Sequence, residues 1–228
     1  MNLFSKSIKY FKLRTLFLFG KIRSLSSPRQ FSIKKGYRHR KQTIYFDDRP
    51  MTDEFQDEVY QLARYYTGYY NYKTILDLGC GSGYKLLKYF SGFTTTGIEM
   101  SPTYEFLTKK YPGRNWINLE ELDKLANRNS GLAADLIICA DVIEHVKDPL
   151  ELLQQLKSMK FQLLFISTPE RDLVRGSVDY GPPDNPAHVR EWNAAEFRDF
   201  LGDHFEIISH QITNIEQATQ LVVCRPVS

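Results

Sequence analysis

The stretch Ile75-Leu76-Asp77-Leu78-Gly79-Cys80-Gly81-Ser82-Gly83 constrains this chain more than any other. An apolar run ends in an acid, three glycines alternate, and a helical pattern begins at once. Glycine lets a backbone turn sharply and lets a ligand approach where a Cβ would collide. In open α/β sheets, ligands bind beyond the carboxyl ends of parallel strands. The dinucleotide pattern GxGxxG fails in both registers, because its third glycine would be Leu86 counted from Gly81 and Tyr84 counted from Gly79. The next apolar run ends at Glu99, 22 residues after Asp77. An acid there can accept hydrogen bonds from both ribose hydroxyls of a nucleoside.

The pattern around this loop predicts an α/β domain. Strands are expected at Thr74–Leu78, Thr94–Glu99, Asn115–Asn118, Asp135–Ala140, Phe161–Ser167, Phe205–Thr213 and Ala218–Cys224. Helical patterns fall between them at Thr52–Tyr66, Gly83–Phe90, Thr103–Tyr111, Pro149–Met159 and Ala194–Leu201. Strands alternating with helices indicate βαβ units and a mainly parallel sheet. Only Asn214-Ile215-Glu216-Gln217 separates the last two strands, which permits an antiparallel hairpin and no crossover helix. With 42% hydrophobic and 25% charged residues, the composition excludes disordered and collagen-like chains. A length of 228 residues suits one such domain with an appendage.

The net charge of +3 hides a split. Residues 1–46 hold 12 Lys and Arg and no acid, leaving 18 basic against 27 acidic residues beyond them. We expect a basic N-terminal arm and linker over residues 1–46 and a domain over residues 47–228. On a helical projection Phe4, Ile8, Phe11, Leu18, Ile22 and Leu25 form one stripe, with Lys6, Lys9, Lys12 and Arg23 largely opposite. A basic amphipathic segment of this kind over residues 1–25 lies on an anionic membrane surface, packs on its own domain, or serves as a mitochondrial presequence. From Ser26 to Lys41 the periodicity stops at Pro28, Gly36 and a cationic cluster, the pattern of a linker. No apolar run reaches the roughly 18 residues of a membrane span. Cys80, Cys139 and Cys224 are odd in number and widely spaced, against disulfides or a zinc cluster and for a reducing, cytoplasmic setting. No metal is expected.

At the glycine loop and Glu99 the sequence resembles the class I S-adenosylmethionine (SAM) dependent methyltransferases, over about residues 55–225. The resemblance implies a Rossmann-like sheet of seven strands with the last antiparallel. It implies SAM as cofactor, with Asp77, Gly79, Cys80, Gly81 and Gly83 under its methionine and ribose, Glu99 on the ribose and Met100 beside the adenine. The family's acid after the third strand is absent, and Asn118 stands in its place. Ala140 and Asp141 close the fourth strand and edge the expected pocket.

Asp141-Val142-Ile143-Glu144-His145-Val146 lacks the motif of nucleobase amino methyltransferases, which argues against nucleic acid. It resembles the Glu-His-Val turn of small-molecule O-methyltransferases, including the ubiquinone-pathway type. Moving a methyl to a hydroxyl calls for alignment and a base, and histidine titrates near 6.5. His188 is the first expected base and His145 the second; His204 and His210 lie near the last strands. About 25 residues separate the fifth strand from the next helix, far beyond an ordinary α/β connection. Within that loop Arg190 is expected to meet an acidic acceptor and Trp192 to stack on it, while Asn193 caps the next helix. The expected function is methyl transfer to an oxygen of a small molecule or sugar conjugate. Its rivals are an RNA methyltransferase using the basic arm and a SAM-binding module without catalysis.

Overall fold

The computed structural model describes residues 14–15, 17–122 and 132–227. Seven strands form one sheet in the order β3-β2-β1-β4-β5-β7-β6. They are β1 (Thr74–Leu78), β2 (Thr94–Glu99), β3 (Asn115–Asn118), β4 (Leu136–Ala140), β5 (Leu163–Pro169), β6 (Phe205–Asn214) and β7 (Thr219–Pro226). β1 pairs in parallel with β2 and β4, β2 with β3, and β4 with β5. β7 slots between β5 and β6 and runs antiparallel to both, the expected hairpin.

Flanking helices explain the run of apolar residues in the central strands, because a parallel strand is buried on both faces. Every residue of β4 is buried. Side chains alternate faces along each strand. Thus Leu76, Leu78, Ile137 and Cys139 join one core, packed with α4 (Pro149–Ser158) and α6 (Ala194–Gly202). Ile75, Leu136, Ile138 and Phe165 join the other, packed with α1 (Asp57–Tyr69), α2 (Tyr84–Phe90) and α3 (Thr103–Lys110). Caps set the helix starts. Asp148 accepts from Leu150 N, with Pro149 in the first turn. Asn193 and Glu196 complete a capping box at α6, as expected for Asn193. A short helix, α5 (Arg171–Arg175), has no periodic apolar pattern to announce it and is capped by Glu170.

Two expectations need correction. The helix expected from Thr52 begins only at Asp57, because residues 52–55 bend and Gln56 adopts a left-handed backbone. The expected linker is part of the domain. Ile33 is fully buried in the first core and Tyr37 nearly so. The Phe31 carbonyl accepts the Trp192 indole N–H at 2.8 Å, and the Tyr37 hydroxyl accepts Glu191 N at 3.1 Å. Arg38 N donates to Tyr180 O and Arg40 N to Val189 O, each at 2.8 Å. The segment lacks periodicity because it crosses the domain as an irregular strap, burying single side chains where they meet gaps.

Before the strap, residues 17–24 are helical. Gly20 of that helix sits against the Tyr180 ring, so that a Cβ there would fall 2.1 Å from its Cγ. Leu18, Phe19, Ile22 and Leu25 remain exposed. The rest of the expected amphipathic stripe, Phe4, Ile8 and Phe11, lies outside the described residues. No helix of the described residues is long and apolar enough to cross a membrane.

Candidate cofactor and acceptor site

The carboxyl ends of β1, β2, β4 and β5 open onto one cavity of about 1160 Å³. A single drug-sized ligand occupies roughly 300–1,000 Å³, so this space holds a nucleoside-sized cofactor and an acceptor together. Its floor is the glycine loop. Gly79, Gly81 and Gly83 all have positive φ, at 75°, 53° and 71°, which L side chains rarely adopt. A Cβ at Gly79 would meet Val142, at Gly81 the Asp48 carboxylate and at Gly83 Leu107 and Trp116. The glycines are therefore required first by the protein's own packing; Gly79 and Gly81 line the cavity floor, whereas Gly83, expected at the cofactor, turns the chain into α2 and is not part of the cavity wall.

Glu99, at the end of β2, lines this wall and grips the loop. Its Oε2 accepts Gly81 N at 3.0 Å and its Oε1 accepts Met100 N at 2.8 Å. Burial pushes its carboxyl up to about 7. Met100 is partly exposed beside it and lines the cavity, as do Cys80 and Ala140. Asp77 lies beneath the loop, with Oδ2 accepting the Tyr60 hydroxyl at 2.9 Å and Oδ1 buried without a partner among the described residues. Burial pushes it up to about 7 as well. It holds the loop from below and is not part of the cavity wall. Asn118 also departs from expectation. Its Oδ1 accepts Glu120 N at 3.0 Å, so it caps a helical turn, and Leu119 lines the cavity instead.

At the β4 end, Asp141 has a positive φ of 52°, and its Oδ1 accepts the Ser167 hydroxyl at 2.7 Å. Glu144 is fully buried; Oε2 accepts the Thr168 hydroxyl at 3.0 Å, while Oε1 has no hydrogen-bond partner among the described residues. Burial holds both acids above the usual carboxylate range. His145 and His188, 43 residues apart in sequence, meet edge-to-face with ring centroids 4.8 Å apart. His145 Nδ1 bonds Ala187 O at 3.1 Å, and burial pushes its imidazole down to about 4. It is therefore neutral at pH 7, with Nδ1 the donor and Nε2 carrying the lone pair. His188 Nδ1 lies 2.7 Å from Glu191 Oε1, and Asn185 Nδ2 lies 2.9 Å from Nε2. Arg175 in turn holds Glu191 at 3.0 Å. Ligand atoms of Glu144, His145 and His188 lie within 4.8 Å of one another, a donor set suited to a divalent cation.

Arg190 and Trp192 do not reach this space. Arg190 is 2% exposed and donates to Val146 O at 2.8 Å and Lys147 O at 2.6 Å, with Phe31 stacked on its guanidinium. Trp192 is fully buried and packs on Phe197 and Phe200. Both fasten the long loop to the strap, and the acceptor loses its expected cationic partner. His204 and His210 lie outside the cavity wall.

The strap supplies what sequence reasoning missed. Ile44, Tyr45, Phe46, Asp48, Met51 and Gln56 all line the cavity. Phe46 approaches His145, and the Tyr45 hydroxyl bonds Thr103 Oγ1. The only signal was a cluster of aromatics and acids just before the first helix, without a period to interpret.

Comparisons with known proteins agree with this geometry. A family model described as a methyltransferase domain matches residues 37–224, beginning inside the strap. A ubiquinone biosynthesis O-methyltransferase of Actinobacillus pleuropneumoniae is 32% identical over 44% of this chain and 47% of its own length. One from Coxiella burnetii is 25% identical over 61% of this chain and 70% of its own length. The chain thus spans about half of the first relative and about two thirds of the second. Among solved structures, magnesium protoporphyrin IX methyltransferase from Synechocystis PCC 6803, with bound SAH, shares the fold. Its TM-score is 0.54 at 15% identity, covering 75% of this chain and 83% of that one.

Proposed function

This chain belongs to the methyltransferase-domain family, and from that premise we propose that it is a SAM-dependent enzyme moving a methyl group to an oxygen of a small molecule or sugar conjugate. The observation that carries the reading is one continuous cavity. A glycine floor and Glu99 form one end, and Asp141, Glu144, His145 and His188 form the other. When bound, SAM supplies the electrophilic methyl, and in-line transfer needs an acceptor oxygen held opposite it.

Gly79 and Gly81 give the cofactor its floor, Gly83 holds the turn behind them, Glu99 accepts from its ribose hydroxyls, Met100 flanks its base, and Cys80 and Ala140 border it. Asp77 acts through the loop it supports. His188 takes the acceptor proton: Glu191 receives its Nδ1–H, which fixes the ring and leaves Nε2 as the basic atom once the acceptor displaces Asn185. His145 lines the same wall with a free Nε2 and is the second base. The strap's Ile44 and Phe46 add apolar surface to the cavity rim.

The ubiquinone-pathway relatives favour oxygen as the methylated atom, and the acidic wall disfavours a nucleic-acid acceptor. The test is a panel of hydroxylated metabolites and sugar conjugates incubated with radiolabelled SAM. Acceptor-dependent S-adenosylhomocysteine and an alkali-stable methyl ether support the reading, and cofactor binding without turnover on any acceptor rejects it. We extend the domain toward the N-terminus to take in the strap from residue 26, with the helix at residues 17–24 docked on Tyr180. We propose that this helix meets an anionic membrane surface, a reading that its exposed Leu18, Phe19, Ile22 and Leu25 in a segment without acids support. Co-sedimentation with anionic vesicles that is lost in Leu18→Ser/Ile22→Ser tests this placement.

A further inference from the structure

Three acids surround the glycine loop, and two of them already accept hydrogen bonds from other residues of the protein. Asp77 takes the Tyr60 hydroxyl from below, and Glu99 takes the amides of Gly81 and Met100. Asp48, delivered by the strap, is different. Its carboxylate lies directly over Gly81, so close that a Cβ built there would fall 2.0 Å from its Oδ2. It lines the cavity, yet no other described residue donates a hydrogen bond to its carboxylate or forms an ion pair with it. Nothing about its position is loose. Asp48 O accepts Met51 N at 2.8 Å, and Met51 O accepts the Ser82 hydroxyl of the glycine loop at 2.7 Å.

An oriented carboxylate whose one donor among the described residues is its own backbone N–H, facing a cavity, is arranged for a cationic ligand group. Burial pushes Asp48 up to about 6, and a bound cation would recover that cost. Lys85 and Arg49 bear on it only at longer range. Its position selects between the two cations of SAM. Asp48 acts on Asp77, Cys80 and Glu99, whereas the leading charges on Asp141 and Glu144 are other groups. It therefore belongs to the loop wall, away from the acceptor end where the reacting sulfonium must lie. The sulfonium also has no N–H to offer, while an ammonium offers three donors.

We propose that Asp48 receives the α-ammonium of the cofactor's methionine half and so positions the methyl donor from the strap side. This rests on the reading of the cavity as a SAM site. The role requires the strap to be in place before the cofactor is held, which makes the segment ahead of the sheet part of the cofactor site.

Calorimetric titrations of the full chain and of Asp48→Asn with SAM, S-adenosylhomocysteine and 5′-methylthioadenosine test it. The first two carry the α-ammonium, and the third lacks the whole amino-acid half while keeping the nucleoside. A charge-assisted hydrogen bond of ordinary strength predicts about a tenfold or greater loss for SAM and S-adenosylhomocysteine alike. Affinity for 5′-methylthioadenosine should stay within about twofold, which also shows that the variant's site is folded. Equal losses on all three ligands would make Asp48 a structural or ribose-directed residue and overturn the assignment. Loss confined to SAM would move the contact to the sulfonium, and unchanged affinity for S-adenosylhomocysteine would remove Asp48 from the site. Failure of the wild-type chain to bind any of the three would instead overturn the SAM-site reading itself.

Discussion

Replacing Ile33 with alanine tests whether the strap is structural. Ile33 has no exposed surface and packs in the same core as Trp192, Phe197 and Phe200. The change removes three carbon atoms, worth about 2.4 kcal/mol in transfer free energy at roughly 0.8 kcal/mol each. A residual cavity adds to this, and buried Ile→Ala changes cost about 2–5 kcal/mol in all. A chain of this size loses about 2–4 °C of melting temperature per kcal/mol, so a cost near 3 kcal/mol lowers the midpoint by about 6–12 °C. Leu25→Ala is the control, because Leu25 is 87% exposed and its loss should shift the midpoint by less than about 1 °C. Both variants can be followed by circular dichroism on heating. If Ile33→Ala melts within about 1 °C of the wild type, the strap is dispensable and the domain begins after it. The same reasoning predicts that a chain lacking residues 1–41 fails to fold.

The other expectations concern the loop and the site. Trp192→Phe forfeits the indole bond to Phe31 O and leaves that carbonyl unpaired, costing about 1–3 kcal/mol in thermal unfolding with no change in acceptor preference. His188→Ala should lower kcat by about a hundredfold or more while calorimetry shows SAM affinity retained; an unchanged kcat passes the role of base to His145. Burial pushes Asp77 and Glu99 to about 7, above their unfolded values. What they contribute to the stability of the free protein is thus fully present below about pH 4 and is lost as pH rises through 7. Glu99→Gln should flatten that decline in melting temperature between pH 5 and 8, and an unaltered pH profile would contradict the assigned cause.

The sheet was legible because its signal is local: β-branched and apolar runs buried on both faces cannot be anything else when helices lie between them. All seven strands start or stop within two residues of expectation, from Thr74 in β1 to Thr219 in β7. The glycine loop and Glu99 were legible for a related reason, since their spacing follows from one strand–turn–helix unit. Illegible were contacts between segments far apart in sequence. Nothing local distinguishes Arg190 reaching into a pocket from Arg190 clamping two carbonyls, because the difference is made by Val146 and Phe31. The strap hid for the same reason. Its buried residues, Ile33 and Tyr37, are spaced by the gaps they fill and not by a helix or strand period. The meeting of His145 with His188 depends on how the long loop folds back over β4, which only the tertiary structure reveals.

The central claim is that the glycine floor and Glu99 form a SAM site, and titration calorimetry of the full chain with SAM tests it most directly. One equivalent should bind, and Glu99→Ala, which removes the proposed ribose acceptor and frees the Gly81 and Met100 amides, should weaken binding by tenfold or more. Absence of binding to the wild-type chain, or undiminished affinity in Glu99→Ala, would contradict the account.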